Sequence, residues 1–190
     1  MSEALKIAII GDYNFTFNAH HATNLSLDHS SEFLDVELNY YWIKISEALK
    51  HKEGYFNQYD GIWIAPGPIE NPFYLNGIFK KIANKNIPVL ITGEGFKIFL
   101  EYLITQNQLL SQQEKLISEN LISGSSFERI TIEPRSKTFH QLYENFNNVE
   151  LSSSRYSLYP QLVEQLELGL VDIEAVNQFE DPEIISLRKS

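Results

Sequence analysis

The sequence predicts an α/β fold: a doubly wound, mainly parallel sheet with helices on both faces and a small antiparallel extension. Short apolar runs, "LKIAII" from Leu5, "GIWIA" from Gly61 and "PVLIT" from Pro88, are nearly continuous rather than alternating, as in strands buried on both faces. Segments with helical periodicity separate them, at the spacing of βαβ units. Turns close these runs at Gly11-Asp12-Tyr13, Pro66-Gly67-Pro68 and Thr92-Gly93-Glu94-Gly95. In an open parallel sheet, the carboxyl ends of strands are where ligands bind.

The spacing assigns each element in order. After the central first strand, Ala19, Ala22, Leu25, Leu27 and Phe33 lie near one face of a helix from Asn18 to Leu34, with Asn18 able to cap its start. "VELNYYWI" from Val36 is a second strand, in which Tyr40, Tyr41 and Trp42 are packing aromatics. A short helix spans 45–50, the third strand begins at Gly61, a helix spans 75–84 and the fourth strand begins at Pro88. A further helix runs over 95–106.

The Ser/Gln/Asn-rich segment 106–126 reads as a surface excursion, helical in part. "FERITIE" from Phe127 alternates like an antiparallel edge strand. A short helix over 137–146, an extended piece over 149–158, a helix over 160–168 closed by Gly169 and a final strand over 170–176 complete the chain. Its 190 residues suit one domain, and no internal repeat is visible.

Composition narrows the function. With 43% hydrophobic and 21% charged residues, the chain has the make-up of a soluble globular protein. A net charge of −10 repels phosphate backbones and anionic lipid surfaces, so neither nucleic acid nor membrane is expected as a partner. The N-terminus passes directly into a strand without a leader pattern, and the expected location is cytoplasmic. Cysteine is absent, which removes disulfides, thiolate metal sites and a cysteine nucleophile together. No cofactor or metal is expected, since neither a dinucleotide fingerprint nor a phosphate-binding loop motif occurs.

Three segments, "KIAIIGDYNFTFNAHHATNLSL" from Lys6, "YDGIWIAPGPIENPFYLNGIFKKIANKNIPVLITGEGFKIFLEYL" from Tyr59 and "SRYSLYPQLVEQLELGL" from Ser154, together resemble the class I glutamine amidotransferase-like superfamily, a flavodoxin-like architecture. Within it, they are most similar to the CTP synthase glutaminase domain and to stand-alone proteins related to that C-terminal region. The first resembles the opening strand, turn and A-H-x-A helix. The second resembles the D-G-[IL] strand, P-G-G loop, helix and G-x-C-x-G-[MF]-Q elbow, and is the specific match. The third is similar to H-R-Y-[EG]-[VFL]-N with its following helix.

On this resemblance the elbow cysteine falls on Gly93, the next residue on Glu94, and the Gly-[MF]-Gln that follows on Gly95, Phe96 and Lys97. The family's His and Glu belong to a closing Q-F-H-P-E strand, expected where this chain ends in "EDPEIISLRKS". The domain is thus expected to stop before that strand. The oxyanion loop reads Pro66-Gly67-Pro68, and a proline has no N–H to offer. Gly67, Gly95, Arg155 and Tyr156 match positions that help hold the substrate glutamine in CTP synthase.

Several side chains remain open to more than one role. Glu94 is a general base or metal ligand, or else a helix N-terminal carboxylate facing solvent. His20 and His21 are adjacent on a helix, about 100° apart, which suits packing at a cleft rim better than joint ligation of one ion. The Gly11 turn could cradle a phosphate at the next helix. Arg155 suits a ligand's α-carboxylate, or a surface ion pair.

The expected function is a catalytically inactive amidotransferase-like module that binds a small ligand, glutamine-like or another carboxylate, or a regulatory partner. The candidate ligand-binding set is Gly67, Glu94, Gly95, Phe96, Arg155, Tyr156 and His20. Two alternatives are an enzyme with altered chemistry at Glu94 and a structural subunit of a homo- or hetero-oligomer.

Overall fold

The computed structural model describes residues 4–83, 85–109, 116–119, 128–144, 147–152 and 156–188. The chain separates into two compact units, Met1–Asn107 and Gln108–Ser190.

The first unit is built on a four-stranded sheet of order β2-β1-β3-β4, from β1 (Leu5–Ile10), β2 (Leu38–Ile43), β3 (Gly61–Ile64) and β4 (Val89–Ile91), all parallel. The order reverses direction at β1, which puts a topological switch point between β1 and β3. Between the strands lie α1 (Asn18–Leu34), α2 (Ile45–Lys50) with a 3-10 turn at Glu53–Gln58, and α3 (Pro72–Ile82), while α4 (Gly93–Asn107) follows β4. Ala8, Ile10, Ile62 and Ile64 from the sheet pack with Phe56, Leu75, Ile78, Phe79 and Ile98 in one buried core. α3 starts with Pro72 in its first turn and carries Lys80 and Lys81 in its last, where they complement the helix dipole.

α1 departs from the expected orientation. Of the five residues of the expected apolar stripe, Ala19, Ala22, Leu25 and Phe33 face solvent, with Leu25 53% and Phe33 78% exposed, and Leu27 alone turns inward. The inward positions are His20, Thr23, Asn24, Leu27 and Ser31, spaced i, i+3, i+4, i+7 and i+11. The polar groups among them are hydrogen-bonded: Thr23 Oγ1 donates to Ala19 O, Asn24 Oδ1 accepts from Trp42 Nε1, and Ser31 Oγ donates to Val36 O. A polar inward face is tolerated because each group finds a partner. Asn18 is the first helical residue rather than the cap, a position held by Phe17 without a side-chain bond.

The second unit contains a four-stranded antiparallel sheet, β10-β9-β6-β7, from β6 (Glu128–Pro134), β7 (Val149–Ser152), β9 (Val171–Asn177) and β10 (Pro182–Leu187). β5 (Ile117–Glu119) and β8 (Tyr156–Leu158) form a separate antiparallel pair, and the helices are α5 (Lys137–Tyr143) and α6 (Pro160–Glu167).

This antiparallel part is larger than the small extension expected. β6 lies inside its sheet rather than at an edge, because β9 pairs with its second half and β7 with its first. β9 is followed by β10 rather than ending the fold, and the piece expected over 149–158 divides between two sheets. α6 is capped by Leu168 in right-handed backbone, and Gly169 has no positive φ, so it is not a left-handed cap. Of segment 106–126, residues 106–109 and 116–119 are described, the first two ending α4 and 117–119 being strand, and the rest lies outside the described residues.

Among the described residues no helix is long and apolar enough to cross a membrane. No group of three or more His, Cys, Asp or Glu among them could hold a metal ion.

Candidate functional site

Loops at the carboxyl ends of β1, β3 and β4 meet in the first unit. The β1 loop is shaped by Asn14, whose Oδ1 accepts from the backbone N–H and hydroxyl of Thr16 at 2.9 and 2.8 Å. The β3 loop runs through Pro66, Gly67 and Pro68, with Gly67 at φ 102° and a cis Gly67–Pro68 bond. The β4–α4 turn has Gly93 at φ 57°, in the left-handed region that glycine enters without a Cβ penalty.

Gly93 is required twice over, by backbone and by space. A Cβ there would lie 2.5 Å from Pro66 O, 2.7 Å from Pro66 Cβ and 2.8 Å from Pro66 Cα. The position that the resemblance aligns with a nucleophile therefore has its side-chain space filled by the facing loop. Gly95 is buried, and a Cβ on it would meet Ile64 Cγ2 at 2.9 Å and Ala65 O at 3.1 Å, so α4 crosses β3 at close range.

Glu94 does not face open solvent. It is half-buried, its backbone N–H donates to Pro66 O at 2.7 Å, and its Oε2 accepts from Ile69 N–H at 2.9 Å. The carboxylate folds over Gly67, where a Cβ would stand 2.7 Å from Oε2. In a nucleophile elbow the N–H of the residue after the nucleophile is one of the donors to the oxyanion. Here that N–H is engaged by Pro66 O.

His20 is 1% exposed and joins two loops. Its Nδ1 accepts from Asn14 N–H at 2.9 Å, and its Nε2 lies 2.9 Å from Gly67 O. A backbone N–H can only donate and a carbonyl can only accept, which assigns the Nε2–H tautomer. The ring also packs 5.0 Å from Trp42 and 5.8 Å from Tyr13, centroid to centroid. His21 is exposed and turns aside to the Phe15 carbonyl.

The structure thus brings together His20, Gly67, Gly93, Glu94 and Gly95. Phe96 is half-buried in the first turn of α4, its N–H donating to Thr92 O at 3.4 Å. Arg155 lies outside the described residues, and Tyr156 begins β8 of the second unit, paired with Glu119. Sequence reasoning did not find Asn14, Pro66 as the filler of the elbow, or Ile69 as the partner of Glu94. The signal for Asn14 was the Asn-x-Thr of "DYNFT", a local turn pattern. The other two depend on contacts across 25 or more residues that no local pattern encodes.

No family model matches the chain, and no curated protein matches it. Among solved structures, the glutaminase domain of CTP synthase from Trypanosoma brucei, with bound acivicin, is similar at a TM-score of 0.70 and 16% identity. The match covers 97% of this chain and 80% of that one. At this identity the likeness establishes the fold, a glutamine amidotransferase-like α/β architecture.

Proposed function

We infer that the chain is an amidotransferase-fold protein that does not hydrolyse glutamine and that works as a regulatory, partner-binding module. The observation that carries this reading is the elbow: Gly93 with its side-chain space filled by Pro66, and the adjacent Glu94 N–H engaged by Pro66 O. Acyl transfer from glutamine needs a nucleophile, a base and free donors aimed at the oxyanion. The sequence has no cysteine, and Gly93 stands where the resemblance places the nucleophile. Such groups act as a unit, so losing the nucleophile alone costs orders of magnitude in rate. In this reading the parallel sheet is doubly wound and the protein is cytoplasmic.

The same geometry bears on a small ligand. Pro66 O, Gly67 O and Ile69 N–H each have an internal partner, so a carboxylate seated between Gly67 and Gly95 has to displace Glu94. The solvent-facing stripe of α1 supports a protein partner or a second copy instead, since Leu25 and Phe33 expose apolar surface on one side of the helix. Incubation of purified protein with glutamine tests the first half of the reading. Ammonia at the rate of a protein-free blank is expected, and catalytic release overturns it.

A further inference from the structure

The loop from Pro66 to Ile69 is held at three points. Pro66 O accepts from the Glu94 backbone N–H, fixed in α4, and Gly67 O from the His20 ring, which is buried and held on its other side by Asn14 N–H. The third hold differs in kind. Ile69 N–H donates to Glu94 Oε2, at the end of a rotatable side chain on a half-buried residue. That side chain stands in the first turn of α4, where the helix dipole favours a carboxylate. It also requires glycine opposite, since Oε2 and Cβ of Glu94 lie 2.7 and 3.0 Å from the place of a Gly67 Cβ.

We propose that Glu94 is a releasable latch on this loop, switching one backbone donor between an engaged and an available state. With the carboxylate in place, Ile69 N–H is engaged and the loop lies against the elbow. When the carboxylate leaves, the Ile69 end of the loop lifts while its Pro66–Gly67 end stays held, and the freed N–H becomes available to another oxyanion. The latch rests on the reading of the elbow as non-catalytic. It is measured separately from ammonia release, so either can fail alone.

Amide hydrogen exchange followed residue by residue in the intact chain tests it, on the wild type, Glu94→Gln and Glu94→Ala. Glu94→Ala speeds exchange at Ile69 about tenfold or more, the effect of losing a charge-assisted hydrogen bond. Glu94→Gln, which keeps a neutral acceptor, gives an intermediate rate. The amides of Ala65 and Thr92, bonded to Ile10 O and Ile64 O, keep their wild-type rates. An unchanged rate at Ile69 in Glu94→Ala overturns the latch. So does equal acceleration at Ala65 and Thr92, which marks general loosening of the unit.

Discussion

The Pro66 carbonyl oxygen stands 2.5 Å from the point where a Cβ on Gly93 would be. Position 93, which the resemblance aligns with a nucleophile, is therefore incompatible with any side chain unless the β3 loop moves. Glycine is also favoured by the backbone at φ 57°.

Substitution at this point is costly. Gly93→Cys is expected to destabilise the protein by about 2–4 kcal/mol, combining a left-handed backbone penalty with overpacking against Pro66. Denaturant unfolding measures it, and a change within the scatter of surface substitutions would show that the loop yields freely.

His20 carries a comparable load by hydrogen bonding. Replacing it with Ala leaves Asn14 N–H and Gly67 O without their partners and opens a gap beside Trp42. The expected loss is about 2–4 kcal/mol, again by denaturant unfolding. His21→Ala removes an exposed contact to Phe15 O and is expected to cost under about 1 kcal/mol.

A pH dependence arises in the second unit. Burial pushes the Glu183 carboxyl above its ordinary range and the nearby Asp181 charge pushes the same way, while the hydrogen bond from Asn177 Nδ2 opposes them. A carboxyl raised on folding favours the folded state at pH below its unfolded value and loses that contribution as pH rises through the folded value. Glu183→Gln retains an acceptor for Asn177 and is expected to raise the thermal midpoint at pH 7. That gain disappears at pH 3, where both side chains are neutral. Thermal melts of the two proteins across this range measure the sign.

The α1 stripe gives a surface prediction. Phe33→Glu is expected to leave stability within about 0.5 kcal/mol, because the side chain is 78% exposed. If α1 is the partner surface, the same change lowers the oligomeric mass by light scattering or abolishes binding of the partner. An unchanged mass together with unchanged partner binding argues for another surface.

The parallel half of the fold was legible because buried strands write themselves as apolar runs: Leu5–Ile10 was expected and found without change of boundary. The four turns of α1 were equally legible in extent but not in orientation. Its stripe of Ala19, Ala22, Leu25 and Phe33 has helical period, yet the inward face is won by His20, Asn24 and Ser31, whose partners lie elsewhere in the chain. The antiparallel half was harder, since the order β10-β9-β6-β7 is set by pairing between distant strands and alternation alone does not tell an edge from an interior strand. At the site, Gly93, Glu94 and Gly67 could be picked from "ITGEGF" and "APGPI". The direction of the Glu94 carboxylate could not, because an exposed helix-start carboxylate and a latch on Ile69 have the same local sequence.

Whether this elbow is unfit for glutamine hydrolysis is read from glutamine labelled with nitrogen-15 at its side-chain amide. The wild type and Gly93→Cys are incubated with it side by side, and labelled ammonia is followed over time. Release at the blank rate is expected from both, since a thiol at position 93 faces Pro66 and the adjacent Glu94 N–H is already engaged by Pro66 O. Multiple turnovers by the wild type would contradict it.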